Sequence, residues 1–299
     1  MRAEITSFWD WQQRFSDEKS CLDALVKRRW PDGFRCPCCG HQKGWLPQAR
    51  HAYECADCHH HTSVTAGALF HNTKLPPVKW FWSLYWVSSD KGGISALRLA
   101  KLIGVSWVTA HRMLRKLRTA TGDQDNLYKL SGIIEFDGAF IGGKRAGKRG
   151  RGATGKTAVL VACGHNDGKP GFVAMKVVER VTHESARAFA QQTLAPGQTL
   201  HTDALAALNV LAEEHHHIAK VTPPEMASGW LPWVQVVTSN LKSYPLGTYH
   251  GLSGRYVQEC LDEFCYRLNR RFWEHQIPNR LLKLCANHKP VFLQPATCS

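Results

Sequence analysis

Two groups of residues have types and spacings suited to chemistry, and the first is a set of cysteines. Cys36, Cys39, Cys55 and Cys58 form two C-x-x-C pairs separated by fifteen residues. Each pair can turn two thiolates toward one tetrahedral ion, and this spacing is typical of zinc sites. Cys38 and the histidines at 59–61 lie nearby, but the doubled spacing favours the four cysteines. Four thiolates leave no open coordination position, so we predict a structural zinc ion.

The second group is acidic. The stretch "GIIEFDGAFIGG" predicts a strand in which Glu135 and Asp137 share one face. Asp203, in "LHTDALAAL", lies where a second predicted strand gives way to a helix. Carboxylates from two strands could together hold divalent cations for phosphodiester chemistry. Simpler interpretations stay open: an Arg or Lys salt bridge for the strand acids, and a helix N-cap for Asp203.

A basic loop follows the first acidic strand directly. From Lys144 to Lys156 the chain carries cations and no acid. Placed beside a metal site, such a loop would neutralise DNA phosphates. We therefore predict that Lys148, Arg149 and Arg151 contact DNA whatever its sequence.

A pair of helices is predicted from "ISALRLAKLIGVSWVTAHRMLRKLRTAT", with the turn at Gly104 and a cap at Ser106. The expected buried positions are Leu97, Leu99, Ile103, Val105, Val108, Met113 and Leu117. The second helix carries the cations His111, Arg112, Arg115, Lys116 and Arg118. This pattern favours a helix-turn-helix whose second helix reads bases, with Arg112 and Arg115 as the contacts. A plain helical hairpin with a solvated cationic face is the alternative.

The composition limits the classes of protein. A net charge of +14 over 299 residues favours a polyanionic partner, most commonly nucleic acid. The 43% apolar content supports a sizeable core, and eleven cysteines without a signal peptide argue against a disulfide scaffold. No long apolar run indicates a membrane span. We expect a cytoplasmic protein that works on double-stranded DNA.

The elements that must position these residues fall into four predicted regions. A helical segment covers 1–33, the zinc ribbon 34–74, and a helical region with the helix-turn-helix 75–130. From 131 to 299 strands alternate with helices, which predicts an α/β domain.

Together these motifs resemble a known family. The chain is similar to bacterial insertion-sequence transposases of the DDE type, in the ISXO-like branch with an N-terminal zinc ribbon. "RWPDGFRCPCCG" and "YECADCHHHTSVTAGALFHNTKLPPVKWFW" resemble the ribbon and the helix after it. "IIEFDGAFIGGK" and "LHTDALAAL" resemble the first two catalytic strands. "LPWVQVVTSNLKSYPLGTYHGLS" with "LDEFCYRLNRRF" resembles the C-terminal signature.

The resemblance implies an RNase-H-like core, two Mg²⁺ or Mn²⁺ ions, and strand transfer at the ends of a mobile element. It assigns Asp137 and Asp203 as the first two metal ligands. The family places its third ligand seven residues before a lysine, and counting back from Lys242 gives Gln235. Asn240 is the competing position. Gly138 departs from the family pattern, in which an acid often follows the first aspartate.

We therefore expect a DNA transposase that acts on element ends and target DNA, as a homo-oligomer on DNA in the bacterial nucleoid. Lys242 is expected to contact phosphate near the cut. One alternative is a DNA-binding regulator, or a degenerate copy, whose core is catalytically dead. Another is a nuclease or recombinase on the same core that cuts without strand transfer.

Overall fold

A computed structural model describes residues 7–46, 51–142, 156–166, 168–221, 227–248 and 254–288. The chain forms two compact units, and each is described by itself. One consists of Met1–Asp90, Ala96–Ala120 and Trp273–Ser299, and the other of Lys91–Ser95 and Thr121–Phe272. Among the described helices, none is both long and apolar enough to cross a bilayer.

The helices are α1 (Phe8–Arg14), α2 (Glu18–Arg29), α3 (Pro77–Ser89), α4 (Ala96–Ile103), α5 (Trp107–Asp125), α6 (His183–Thr193), α7 (Ala227–Trp230), α8 (Pro232–Thr248), α9 (Val257–Asn269) and α10 (Ile277–Asn287). The strands are β1 (Gly44–Trp45), β2 (Ala52–Cys55), β3 (His61–Ser63), β4 (Ile133–Ile141), β5 (Thr157–Asn166), β6 (Lys169–Val178), β7 (Thr199–Asp203) and β8 (His216–Lys220). Short 3₁₀ helices cover Ala206–Glu213, Gly254–Tyr256 and Arg271–Gln276.

The first unit is built around the aromatic helix α3. Trp11 and Phe15 are buried against it, and the Trp11 indole donates a hydrogen bond to the carbonyl of Phe81 at 2.9 Å. Helix α10 packs against α2 and α3, and its Leu282 is fully buried. The backbone N–H of Leu69 donates to the carbonyl of Cys285 at 3.0 Å. The last described helix thus completes the core of the first unit, whereas the sequence interpretation groups it with 131–299.

The tandem helices α4 and α5 form with the expected turn. Gly104 has φ +62°, a conformation that glycine adopts without the strain of a Cβ. The Ser106 hydroxyl accepts the N–H of Thr109 at 3.2 Å and so caps α5.

The side-chain expectations for this pair are only partly right. Leu99, Ile103, Met113 and Leu117 are buried as expected. Leu97 and Val108 are exposed, so their assignment to the core is wrong. Arg118 was expected on the cationic surface but is only 5% exposed. The cations of α5 follow one broad side of the helix, and Arg118, at the border with the buried side, is the one that packing covers.

The second unit contains a five-stranded sheet with the order β6-β5-β4-β7-β8. Strand β4 pairs antiparallel with β5 and parallel with β7, while β5–β6 is antiparallel and β7–β8 is parallel. A mixed sheet with this order is the RNase-H-like arrangement, which confirms the predicted class of the core. The helix expected directly after Asp203 is a 3₁₀ helix, and β8 was not predicted.

The two faces of this sheet carry separate cores. Ile134, Phe136 and Leu200 face α6, within one buried cluster. Ala139 and Ile141 belong to the opposite cluster, with α8 and α9. Because successive side chains alternate, Glu135 and Asp137 share the α8 side with Ala139. The sheet thus aims the acids of β4 at the face covered by α8.

Candidate functional site

The four predicted zinc ligands lie together. Their sulfur atoms are all within 4.8 Å of one another. The Cys36 and Cys58 sulfurs are 3.6 Å apart, and those of Cys39 and Cys55 are 3.5 Å apart. Such a thiolate set suits a tetrahedral ion with soft ligands, which favours zinc.

Two similar backbone turns bring the thiolates together. After the first pair, Gly40 has a positive φ and its N–H donates to the carbonyl of Cys36 at 3.0 Å. After the second pair, His59 also has a positive φ and donates to the carbonyl of Cys55 at 3.2 Å. The repeated turn directs both sulfurs of each C-x-x-C pair toward the same point.

One of the neighbouring alternatives for zinc, His59, lies beside a carboxylate instead. The ring of His59 lies 3.4 Å from the Glu54 carboxylate, outside the sulfur group.

Burial favours the neutral thiol of Cys55, but N–H groups of Cys58 and Asp57 bring its pKa down to about 6. A backbone hydrogen bond from His41 lowers the pKa of Cys39, but burial and the neighbouring thiols raise it to about 12, so only a bound cation would favour the thiolate at all four positions.

The two predicted catalytic aspartates lie on neighbouring strands. Phe136 of β4 is paired in parallel register with Thr202 of β7. Asp137 and Asp203 therefore follow one residue later on strands that run side by side, about 4.8 Å apart. Both side chains are half-buried and both lie toward the carboxyl ends of the parallel pair. This is where an open sheet of this type usually carries functional groups.

Each aspartate makes a local backbone contact. One oxygen of Asp137 accepts the N–H of Gly138 at 2.7 Å. One oxygen of Asp203 accepts the N–H of Leu205 at 3.2 Å. The following 3₁₀ helix has Leu205, without a side-chain bond, at its N-cap position. The N-cap interpretation of Asp203 is therefore wrong, because its side chain closes a turn before that helix.

The third acid, Glu135, is fully buried and has a structural role. One of its oxygens lies 2.7 Å from the His165 ring, and the other accepts the N–H of Val234 at 2.7 Å. Burial raises the pKa of this carboxyl, although the bonds from Val234 and His165 oppose the shift. The sequence suggested a metal or an Arg or Lys partner, and neither expectation holds. Glu135 instead joins β4 to the first turn of α8.

Helix α8 carries both positions considered for a third ligand. Its buried side is formed by Val234, Val237 and Leu241. At about 100° per residue, Gln235 lies on one flank of that side and Asn240 on the other. Both side chains are exposed, as is Lys242, which lies on the same flank as Gln235. Only one of the two candidates can therefore face the aspartates.

A cluster of His201, Trp230 and Lys220, called the aromatic cover below, lies next to Asp203. The His201 and Trp230 rings stack with centroids 4.6 Å apart, and the Trp230 indole donates to the carbonyl of Thr202 at 2.8 Å. The Lys220 ammonium lies 5.4 Å from the Trp230 ring. Nothing in the sequence predicted this cover, since its members come from β7, β8 and α7.

The predicted DNA contacts are distributed unevenly. Arg112 is exposed on α5 and Arg115 is half-buried there. Lys148, Arg149 and Arg151 fall in 143–155, outside the described residues. The basic loop therefore stays a sequence prediction.

Two protein-family models match the chain over the regions that contain these residues. The model of the ISXO2-like transposase domain matches residues 129–269, which include Asp137, Asp203 and α8. The model of the transposase zinc-ribbon domain matches residues 16–61, which include the four cysteines. The chain therefore carries an ISXO2-like transposase domain and, before it, a transposase zinc ribbon. It is thus a DNA transposase with a zinc ribbon, as the resemblance implied. A search of curated proteins finds no match to this transposase.

Solved structures give a weaker comparison. The Mos1 strand transfer complex is 15% identical to this transposase, with a TM-score of 0.27, over 71% of this chain and 79% of that one. A pre-cleavage Mos1 transpososome is 13% identical, with a TM-score of 0.25, over 67% and 75% of the two chains. Overall similarity at this level adds nothing to the family assignment, which rests on the two family models.

The zinc prediction can be tested by metal analysis. We expect one zinc per chain in the purified transposase and almost none in a Cys36→Ser/Cys55→Ser double variant, since two of four thiolates are lost. The ribbon should lose its fold together with the ion. His61→Ala is the matched control and should keep its zinc. Zinc retained in the cysteine variant would contradict the assignment.

The role of Glu135 can be tested by equilibrium unfolding. Glu135→Ala leaves the Val234 N–H and the His165 ring without their buried acceptor, which costs about 1–3 kcal/mol per unsatisfied group. Glu135→Gln keeps an acceptor for Val234 and should lose less. Glu179→Ala, an exposed acid in the same unit, is the control and should change the free energy of unfolding little. Equal stability of the Glu135→Ala and Glu179→Ala variants would show that Glu135 does not anchor α8.

Proposed function

We propose that this transposase cuts and joins DNA at the ends of its element, with divalent cations held between Asp137 and Asp203. The observation that supports this most is the parallel pairing of β4 with β7, which sets both carboxylates side by side on one face. Both are half-buried, so a phosphate group could approach them from solvent.

The donor set fits a hard cation. Carboxylate oxygens are the ligands that Mg²⁺ and Mn²⁺ prefer, and the soft thiolates are confined to the ribbon. When bound, two such ions activate a water or a 3′-hydroxyl and stabilise the leaving oxygen. Asp137 and Asp203 would supply the negative charge, and the backbone N–H groups of Gly138 and Leu205 would hold the two carboxylates in place.

DNA recognition is assigned to two further surfaces. The exposed side of α5, with Arg112 and the half-buried Arg115, would read bases as the second helix of a helix-turn-helix. The predicted loop cations Lys148, Arg149 and Arg151, with Lys242 on α8, would neutralise phosphates close to the cut. We further propose that copies of the chain pair on DNA, in the bacterial nucleoid, because transposition joins two element ends to one target.

A second function, DNA binding with weak or no cleavage, has one observation in its favour. Within the described ranges, the four cysteines are the only group of three or more His, Cys, Asp or Glu side chains close enough to share an ion. Asp137 and Asp203 are not part of such a group, and the carboxylate of Glu135 is bound to the first turn of α8. A copy with weak or no cleavage that acts by binding DNA fits this arrangement.

Cleavage assays on the aspartates test the proposal. Asp137→Asn and Asp203→Asn keep the oxygen that accepts each backbone N–H but remove the charge. We expect each variant to lose metal-dependent cleavage of a duplex bearing the element end by at least about a hundredfold. DNA binding and stability should change little.

The matched control is Glu213→Gln, which removes an exposed acid paired with Arg187 in the same unit. It should cleave at the wild-type rate. If either aspartate variant cleaves as fast as this control, that aspartate is not a ligand. If the wild type binds element ends without cutting them, the binding-only function is correct.

The identity of the third metal ligand is tested by three variants measured together. A glutamine carbonyl is neutral and stabilises two cations less than a carboxylate does. If Gln235 is the ligand, Gln235→Glu should raise cleavage and Gln235→Ala should lower it, while Asn240→Ala has little effect. Since the two residues lie on opposite flanks of α8, loss of activity only in Asn240→Ala would assign the position to Asn240.

A further inference from the structure

The first unit contains a strongly basic groove outside the site described above. It has a volume of about 490 Å³ and opens broadly to solvent. Four permanent cations line it: Arg14 from α1, Arg28 from α2, and Arg280 and Lys283 from α10. The other lining residues are His275, Gln276 and Asn279, so the described part of the chain contributes neither an acid nor a hydrophobic residue to the lining.

Neutral acceptors, not carboxylates, hold the guanidinium groups of this groove. Arg28 donates to the Asn279 amide oxygen at 3.2 Å and to the carbonyl of Ala24 at 3.0 Å. Arg280 donates twice to the Gln276 amide oxygen, at 2.9 and 3.2 Å. These bonds orient the groups but leave their charges uncompensated, so the groove is prepared for an anion from outside.

The crowding of like charges supports the same conclusion. Burial lowers the pKa of Arg28, and the nearby charge of Arg14 lowers it further. Cations at the C-terminal ends of α1 and α2 are favoured by the helix dipole, which could explain Arg14 and Arg28 alone. It does not explain Arg280 and Lys283, which lie along α10 on the same groove.

We propose that this groove binds the phosphate backbone of duplex DNA, as a contact surface separate from the catalytic sheet. Pockets for small organic ligands are mostly enclosed and lined by hydrophobic residues, whereas this groove is open and the residues that line it are polar or charged. A broad groove with four permanent positive charges matches successive phosphates of a polymer. The inference rests on the proposed function only in that the chain must act on DNA.

The test measures binding of a DNA duplex to the full chain as a function of salt concentration. The groove variant is Arg14→Gln/Arg280→Gln/Lys283→Gln, which leaves the more buried Arg28 in place. Each lost phosphate contact should reduce the slope of log affinity against log salt by about 0.9. We expect a slope smaller by about two to three, and affinity at least about tenfold lower at ~0.1 M salt.

The matched control is Lys19→Gln/Lys27→Gln/Lys74→Gln, which removes the same charge from exposed positions of the same unit outside the groove. Its slope should stay close to that of the wild type. Equal slopes in the groove and control variants would overturn the proposal, provided that zinc content and melting temperature show both to be folded. If the wild type itself binds no duplex, the DNA-level function fails as well, so the two failures are distinguishable.

Free inorganic phosphate could bind the same cations as the phosphates of DNA. Melting temperatures in sodium phosphate and in sodium chloride of equal ionic strength distinguish a site for free phosphate from a site for DNA. A phosphate stabilisation that the groove variant loses, together with an unchanged DNA slope, would identify a small-anion site and overturn the DNA assignment.

Discussion

The geometry of the catalytic unit depends on one buried carboxylate. Glu135 has no contact with solvent, and each of its oxygens is bound, one to His165 of β5 and one to the N–H of Val234. A buried carboxylate is tolerated only when it is satisfied in this way. Because Asp137 lies two residues along the same strand and Gln235 directly follows Val234, this one group sets the distance between the strand that carries Asp137 and helix α8. A substitution of Glu135 would therefore change how β4 packs against α8, and its effect would not be confined to one hydrogen bond.

The zinc ribbon has too small a core to fold by packing alone. Its strands are only two to four residues long, and its buried cluster consists of Phe34, Cys36 and Cys55 with a few partly covered neighbours. A core of that size cannot offset the entropy of ordering the chain. The repeated turn at each C-x-x-C pair gathers four thiolates, and the ion they fit would supply the missing stabilisation. The cysteines thus form the fold of the ribbon as well as its metal site.

How far the sequence predicted these sites depends on how local each signal is. The cysteine cluster follows from spacing within two short turns and was predicted from the residues, whereas the family resemblance assigned Asp137 and Asp203, whose role as ligands stays a prediction. The partner of Glu135 was not, because His165 and Val234 lie 30 and 99 residues away in sequence. Strand β8, in the His-rich stretch "HHIAK", is a mostly exposed edge with no apolar alternation to reveal it. Arg118 shows the same limit, since only tertiary packing decides which cation of α5 is covered.

The position of α10 has a consequence for how the chain is made. Helices α2 and α3 are synthesised early, but the helix that covers them begins only at Ile277. The whole sheet, from β4 to β8, leaves the ribosome before that helix exists. The sheet of the second unit is therefore complete before α10 exists, whereas the N-terminal helices must wait with exposed apolar surface. A chain that ended between α9 and α10 would keep every element of the second unit but leave the N-terminal unit unfinished, a product suited to removal by proteases.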